Sequence, residues 1–85
     1  MKSFDYVIKD ELGIHARPAS MLVKEAGKFT STITINKGEK TADVKKIFGV
    51  MGMGVKCGET VTIAIEGDDE DDAMAVLQKF MEDNL

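Results

Sequence analysis

The residues most suited to take part in a chemical reaction lie at positions 13–19, where the chain reads Gly-Ile-His-Ala-Arg-Pro-Ala. The segment holds the only histidine, His15, and the only proline, Pro18. A neutral imidazole is a nucleophile near physiological pH. Arg17 can bind an oxyanion through several N–H donors. Together, His15 and Arg17 indicate a site that receives a phosphoryl group.

The backbone around His15 is expected to add to this site, because a strand pattern ends before it and a helix pattern follows it. The first N–H groups of a helix have no partners within the helix and lie at the positive end of its dipole. Pro18 suits the first helical turn, where its missing donor costs nothing. Gly13 allows a tight turn just before the histidine. The pattern therefore places His15 at a helix N-terminus.

Alternating polarity predicts three of the four strands that must support this helix. It covers residues 3–9, 32–36 and 60–66. A turn at residues 37–39 leads into a further short strand at residues 40–44, which makes a hairpin.

Helical spacing of apolar residues predicts three helices. The first follows His15 and ends near Gly27, and the second is short, over residues 47–53. The third begins in the acidic run at residues 68–72, whose carboxylates we expect to cap its N–H groups and complement its dipole. The core faces of the first and third helices are expected to carry Ala19, Leu22, Val23, Ala26, Ala73, Val76, Leu77 and Phe80.

The order β-α-β-β-α-β-α predicts an α+β fold with a four-stranded antiparallel sheet and three helices on one face. We expect one domain over residues 1–85, too small for a deep substrate pocket, so that chemistry occurs at the surface with a partner. The formal net charge of −4 argues against nucleic acid as that partner. Cys57 is the only cysteine, and the sequence shows neither the pattern of a signal peptide nor an apolar run long enough to span a membrane. These features predict a cytoplasmic protein that does not insert into membranes.

A second surface is predicted beside His15. On the first helix, Arg17, Ser20, Met21 and Lys24 recur with helical spacing on the side away from the core face. Two cations and a hydroxyl around an apolar side chain suit an acidic, partly apolar partner, although a solvated helix face is the alternative.

The short helix carries more apolar residues than one or two turns can bury. If Val50 and Ile47 face the sheet, Phe48 and Met51 remain exposed beside lysines. An exposed aromatic side chain next to a methionine is typical of an interface centre. Ordinary core packing is the alternative.

Residues 13–19, followed by Leu22 and Val23, resemble the active-site motif of the HPr family, the histidine-containing phosphocarriers of the bacterial phosphoenolpyruvate-dependent phosphotransferase system. Residues 44–55 resemble the second family signature, and residues 58–65 resemble the strand that follows it. The resemblance covers essentially the whole chain and implies the HPr-like open-faced β-sandwich.

The resemblance implies that phosphorylated enzyme I passes a phosphoryl group to a ring nitrogen of His15, Nδ1 in the family, and that His15 passes it to enzyme IIA domains for sugar uptake. Arg17 and the backbone N–H groups of Ala16 and Arg17 would hold the phosphate. The implied partner-docking positions are Ala16, Ser20, Met21, Lys24, Ile47, Phe48 and Met51. Such a carrier is not an enzyme in its own right, needs no cofactor or metal, and is expected to be a monomer.

Two positions bear on which branch of the HPr family this chain resembles. Lys46 stands where many relatives of the low-GC Gram-positive group have a serine that a kinase phosphorylates for catabolite control. Lysine has no hydroxyl and carries the opposite charge from a phosphoserine, which argues against that regulation here. Leu12 also occurs in HPr-like proteins of the nitrogen-related branch, so a regulatory relay is the alternative to sugar transport.

Other interpretations of the same residues remain open. Met51, Met53, Cys57 and His15 could bind Cu(I), although small metal carriers usually pair cysteines and Cys57 is expected to be partly buried. His15 could act alone as a general base, or the chain could be a binding module that is never phosphorylated. The acidic run at residues 68–72 could suggest Ca²⁺, but it lacks the spaced ligands of a calcium loop.

Overall fold

Four antiparallel strands form one sheet in the computed structural model, which describes residues 1–85. They are β1 (Lys2–Val7), β2 (Thr32–Lys37), β3 (Lys40–Asp43) and β4 (Thr60–Glu66). The spatial order is β1-β4-β2-β3, so the last strand of the chain lies inside the sheet between β1 and β2. The first and last strands of the chain, β1 and β4, are therefore neighbours in the sheet.

Three helices complete the predicted order: α1 (Ala16–Ala26), α2 (Ile47–Gly52) and α3 (Glu70–Asn84). α1 and α3 contact each other, α3 contacts β1 and β4, and α2 contacts α1 and β3. The predicted α+β architecture, an open-faced sandwich of sheet and helices, is confirmed. None of the three helices has the length and apolar character needed to cross a membrane.

The core lies between the sheet and the helices. Alternate residues of the two central strands point into it, and the register pairs Ile33 with Ile65 and Ile35 with Ile63. All four isoleucines are fully buried, as period-two alternation requires when one face of a sheet is covered. The helical residues that close this core are Ala19, Leu22, Ala26, Ala73, Leu77, Phe80 and Met81.

Two burial predictions were wrong. Val76 is 39% exposed, because the buried stripe of α3 is centred on Leu77 and turns toward Met81, which is fully buried. Cys57 is exposed rather than partly buried. It lies in a turn, since β4 begins only at Thr60.

The acidic run behaves only partly as predicted. Asp69 is the N-cap residue of α3, but its side chain makes no hydrogen bond to the helix. Its carboxylate instead accepts hydrogen bonds from the backbone N–H groups of Thr30 and Ser31, at 2.8 and 3.0 Å, and from the Ser31 hydroxyl. The predicted cap was wrong because these competing donors come from a segment distant in sequence. The first turn of α3 is nevertheless acidic, which suits the helix dipole.

Candidate functional site

His15 is the N-cap residue of α1, with the extended backbone angles (φ −104°, ψ −178°) that N-cap residues adopt. Its carbonyl accepts the N–H of Ala19 at 2.9 Å, which closes the first helical turn. The imidazole makes no cap hydrogen bond to the helix, and its side chain is 36% exposed. The ring is therefore accessible and not committed to a structural role at the helix end.

The loop that precedes His15 is held by hydrogen bonds around Asp10. The Asp10 carbonyl accepts the N–H of Gly13 at 2.9 Å, and Asp10 Oδ1 accepts the N–H of Leu12 at 2.9 Å. The N–H of Asp10 donates to the carbonyl of Leu85, just after α3, at 2.8 Å. The loop is thus tied both to itself and to the end of the last helix.

Gly13 is where this loop meets the segment that leads into β4. Its φ is +68°, and a Cβ built on it would overlap the carbonyl of Val55 and lie 2.8 Å from the Cα of Lys56. The next residue, Ile14, donates its N–H to the same Val55 carbonyl at 3.1 Å. Only glycine permits this close approach of two backbones.

The N-terminus of α1 presents groups that suit an anion. The N–H groups of Ala16 and Arg17 have no hydrogen-bond partner, and Pro18 lies in the first turn as predicted. The first turn holds no acidic residue. The Arg17 side chain is exposed and forms no ion pair. Two free backbone donors and one free guanidinium thus lie beside His15, an arrangement that stabilises an oxyanion.

A pocket of about 250 Å³ opens at this point of the surface. It is lined by Asp10, His15, Arg17, Pro18, Met21, Asp83 and Asn84. The structure therefore brings the predicted residues His15 and Arg17 together in one concave site. Its small size agrees with a protein that binds one small group rather than a large substrate.

Sequence reasoning missed the acidic part of this pocket. Asp10 Oδ2 lies 3.6 Å from Nε2 of His15. An aspartate three residues before a glycine is a turn signal, which could have drawn attention to Asp10 but not to its contact with the imidazole. Asp83 and Asn84 come from the end of α3, and no local signal relates them to His15.

The face of α1 predicted to dock partners is open to solvent. Ala16, Arg17, Ser20, Met21 and Lys24 are all exposed, with Met21 at 40%. α1 contacts α2, so the two sets of candidate docking residues lie on neighbouring helices.

On α2, Val50 is buried against the core and Ile47 is half-buried. Phe48 is 87% exposed and Met51 is 40% exposed, so the predicted exposure of these two residues is confirmed. An aromatic ring this exposed contributes little to the core. Together, the exposed candidate docking residues of α1 and α2 are called the α1–α2 surface below.

Lys46 is the N-cap residue of α2 and is exposed, without a side-chain cap. A serine at this position could accept a hydrogen bond from the helix N–H groups, which a lysine cannot do.

The residues considered as ligands of a metal ion are not grouped as a metal site. Met53 is buried, and Cys57 Sγ lies 3.7 Å from the carbonyl oxygen of Lys9. No group of three His, Cys, Asp or Glu side chains is placed to bind one ion.

Comparison with known proteins identifies the class to which this fold and site belong. Residues 2–83 match the family model described as PTS HPr component phosphorylation site. The chain therefore belongs to the HPr family of phosphocarriers of the phosphotransferase system.

Two curated relatives share this name. The phosphocarrier protein HPr of Mycoplasma capricolum is 46% identical over 83 residues, which cover 98% of this chain and 93% of the relative. The HPr of Lysinibacillus sphaericus is 46% identical over 81 residues, 95% of this chain and 92% of the relative. Among solved structures, a histidine-containing phosphocarrier protein from Mycoplasma superposes with a TM-score of 0.94 at 45% identity, covering 96% of this chain and 93% of that one.

Proposed function

We propose that this protein accepts a phosphoryl group from phosphorylated enzyme I on His15 and passes it to enzyme IIA domains for coupled sugar uptake. Membership in the HPr family supports the proposal. The observation that carries it is the half-buried but solvent-accessible imidazole of His15, next to the free N–H groups of Ala16 and Arg17. The exposed thiol of Cys57 suits the reducing cytoplasm in which we place this relay.

The arrangement of groups explains how such a transfer proceeds. A lone pair of the neutral imidazole attacks phosphorus, the P–N bond forms, and the bond from phosphorus to the donor breaks. The transferring group carries negative charge, which the free N–H groups of Ala16 and Arg17 and the Arg17 guanidinium stabilise. The same groups serve the second transfer in reverse, when the P–N bond breaks and the acceptor takes the phosphoryl group.

We propose that the α1–α2 surface docks enzyme I and enzyme IIA in turn. Both partners must reach the same imidazole, so they compete for one surface and each must leave before the next binds. A monomer with transient contacts fits this requirement. The exposed side chains of Met21, Phe48 and Met51 supply apolar contact, and Arg17 and Lys24 supply positive charge at the rim.

Intact-mass analysis after incubation with enzyme I and phosphoenolpyruvate tests the carrier role. We expect the wild-type protein to gain one acid-labile phosphoryl group that maps to His15 and is lost when an enzyme IIA domain is added. His15→Ala should gain none but still bind enzyme I. A wild-type protein that stays unmodified by an enzyme I active on another HPr, or a His15→Ala variant that is still modified, would contradict the proposal.

The same assay with separate IIA domains decides between the two branches of the family. Discharge by a sugar-specific domain supports transport. Discharge by a nitrogen-related domain alone supports the regulatory relay instead.

Arg17 variants test how the phosphoryl group is held. Arg17→Ala is expected to slow phosphorylation about 100-fold, because one preoriented donor group is lost from the transition state. Arg17→Lys keeps the charge but loses the planar pair of donors, so it should recover only part of the rate. Single-turnover kinetics measure both rates. Equal rates for the wild type and Arg17→Ala would show that the guanidinium does not contact the transferring group.

A further inference from the structure

Asp10 has one carboxylate oxygen that serves the loop and one that faces His15. Oδ1 accepts the N–H of Leu12 at 2.9 Å. The backbone N–H and carbonyl of Asp10 are bonded to Leu85 and Gly13. Oδ2 makes no hydrogen bond and lies 3.6 Å from Nε2 of His15. The loop therefore holds a negative charge beside one specified nitrogen of the imidazole.

We propose that Asp10 is a positioning residue for phosphoryl transfer, which keeps the proton of the neutral imidazole on Nε2 and leaves the lone pair on Nδ1. This inference rests on the function proposed above. At 3.6 Å the contact is electrostatic rather than a direct hydrogen bond. A carboxylate attracts the positive end of an N–H dipole and repels a nitrogen lone pair, so it favours the tautomer with hydrogen on Nε2.

Asp10 also acts on the product of the transfer. When Nδ1 attacks phosphorus, the P–N bond forms and the electron pair of the breaking bond goes to the donor. The ring keeps its proton on Nε2 and gains a positive charge, so no base is needed to remove a proton. The Asp10 carboxylate offsets this charge. When the phosphoryl group leaves, the electron pair of the P–N bond returns to Nδ1.

Asp83 provides a matched control, since it lines the same pocket and carries the same charge. Its carboxylate lies 3.4 Å from Nζ of Lys79 and forms no ion pair with His15. Replacing Asp83 by Asn removes one negative charge from the pocket but leaves the contact at Nε2 intact.

The experiment compares Asp10→Asn with Asp83→Asn. Asn keeps an oxygen that can accept the Leu12 N–H but presents no charge to Nε2. Long-range ¹H–¹⁵N NMR of His15, above the pH at which it is protonated, reports the tautomer without any partner. We expect Nε2–H to dominate in the wild type and in Asp83→Asn, and the Nδ1–H tautomer to rise in Asp10→Asn.

The second readout is the initial rate of phosphorylation by enzyme I and phosphoenolpyruvate. For Asp10→Asn we expect a loss of roughly 5-fold relative to Asp83→Asn, the size typical of a partly exposed charge pair. Asp10→Ser, whose hydroxyl can also accept the Leu12 N–H, provides a second uncharged variant should Asn loosen the loop.

The outcomes separate the two proposals. An unchanged tautomer in both Asp10 variants, or a shifted tautomer with an unchanged rate, overturns the role of Asp10 while the carrier function stands. A wild-type protein that is never phosphorylated overturns the carrier function itself, whatever the tautomer.

Discussion

At the scale of single residues, the position of the imidazole depends on a glycine two residues before it. Gly13 adopts φ +68° and brings its backbone against that of Val55 and Lys56. Any side chain at this position would have to displace one of the two backbones. Because the loop continues directly into His15 and α1, such a displacement would also move the imidazole of His15.

Gly13→Ala is expected to lower the free energy of unfolding by more than about 2 kcal/mol, since it adds backbone strain and a clash with rigid atoms. Gly54→Ala is the matched control, because Gly54 has a similar φ of +62° but open space around a built Cβ. It should cost only about 1 kcal/mol. Urea unfolding measures both changes. Equal losses of unfolding free energy in the two variants would mean that the close approach of the backbones at Gly13 adds nothing to the cost of the positive φ.

At the scale of elements, Asp69 joins the start of α3 to the segment between α1 and β2. Hydrogen bonds from the Ser31 hydroxyl and the Thr30 N–H lower the pKa of its carboxyl from 3.8 to about 2. A carboxyl whose pKa is lower in the folded state stabilises the fold above its unfolded pKa. That contribution is lost as the pH falls from about 4 to about 2.

Asp69→Asn is therefore expected to be less stable than the wild type at pH 6, with the difference shrinking as the pH is lowered toward 2. Asp72→Asn is the control, because Asp72 lies in the first turn of the same helix and is exposed without these hydrogen bonds. Urea unfolding at several pH values measures the difference. A stability gap between wild type and Asp69→Asn that does not depend on pH would exclude the charged hydrogen-bond network as its cause.

The exposed side chain of Phe48 on α2 leads to a separate prediction about binding to enzyme I. Phe48→Ala should leave the melting temperature unchanged, because the ring is 87% exposed, yet weaken binding to enzyme I by about 10-fold or more. Val76→Ala on α3 removes another exposed apolar side chain, outside the proposed docking surface, and should bind normally. Calorimetry measures the melting temperature and the affinity for enzyme I of both variants. Normal binding by Phe48→Ala would show that this ring of α2 does not contribute to the interface.

At the scale of the whole molecule, charge is distributed unevenly. The chain has a formal net charge of −4. Arg17, Lys24 and Lys46 are nevertheless exposed on or beside the α1–α2 surface and form no ion pairs. An acidic partner would therefore be attracted to this surface in spite of the overall charge.

Association with enzyme I is accordingly expected to slow by roughly 10-fold when ionic strength rises from low to several hundred millimolar. The double variant Lys24→Ala, Lys46→Ala should associate more slowly at low salt and lose much of this dependence. Lys28→Ala removes a charge just beyond the other end of α1, where Lys28 pairs with Glu25, and should behave like the wild type. Stopped-flow kinetics measure the association rates. A salt dependence equal in all three proteins would argue against steering by this surface.

The sequence by itself determined the element order, the place of His15 at the start of α1 and the exposure of Phe48. Each of these depends on neighbours a few residues away, through the periodicity of strands and helices and the free N–H groups of a helix end. The same local reasoning erred where partners are distant. It assigned the Asp69 carboxylate to its own helix, whereas donors at Thr30 and Ser31 hold it.

Only the tertiary structure decided that the pocket at His15 is partly acidic. Leu85 accepts hydrogen bonds from the N–H groups of Lys9 and Asp10, which brings the end of α3 beside the loop that follows β1. Asp83 and Asn84 therefore line a pocket with a histidine about seventy positions earlier in the chain. Such contacts follow from how the strands and helices pack, and the orientation of Asp10 Oδ2 toward Nε2 follows from a loop fixed at both ends. Periodicity along the chain carries no information about either.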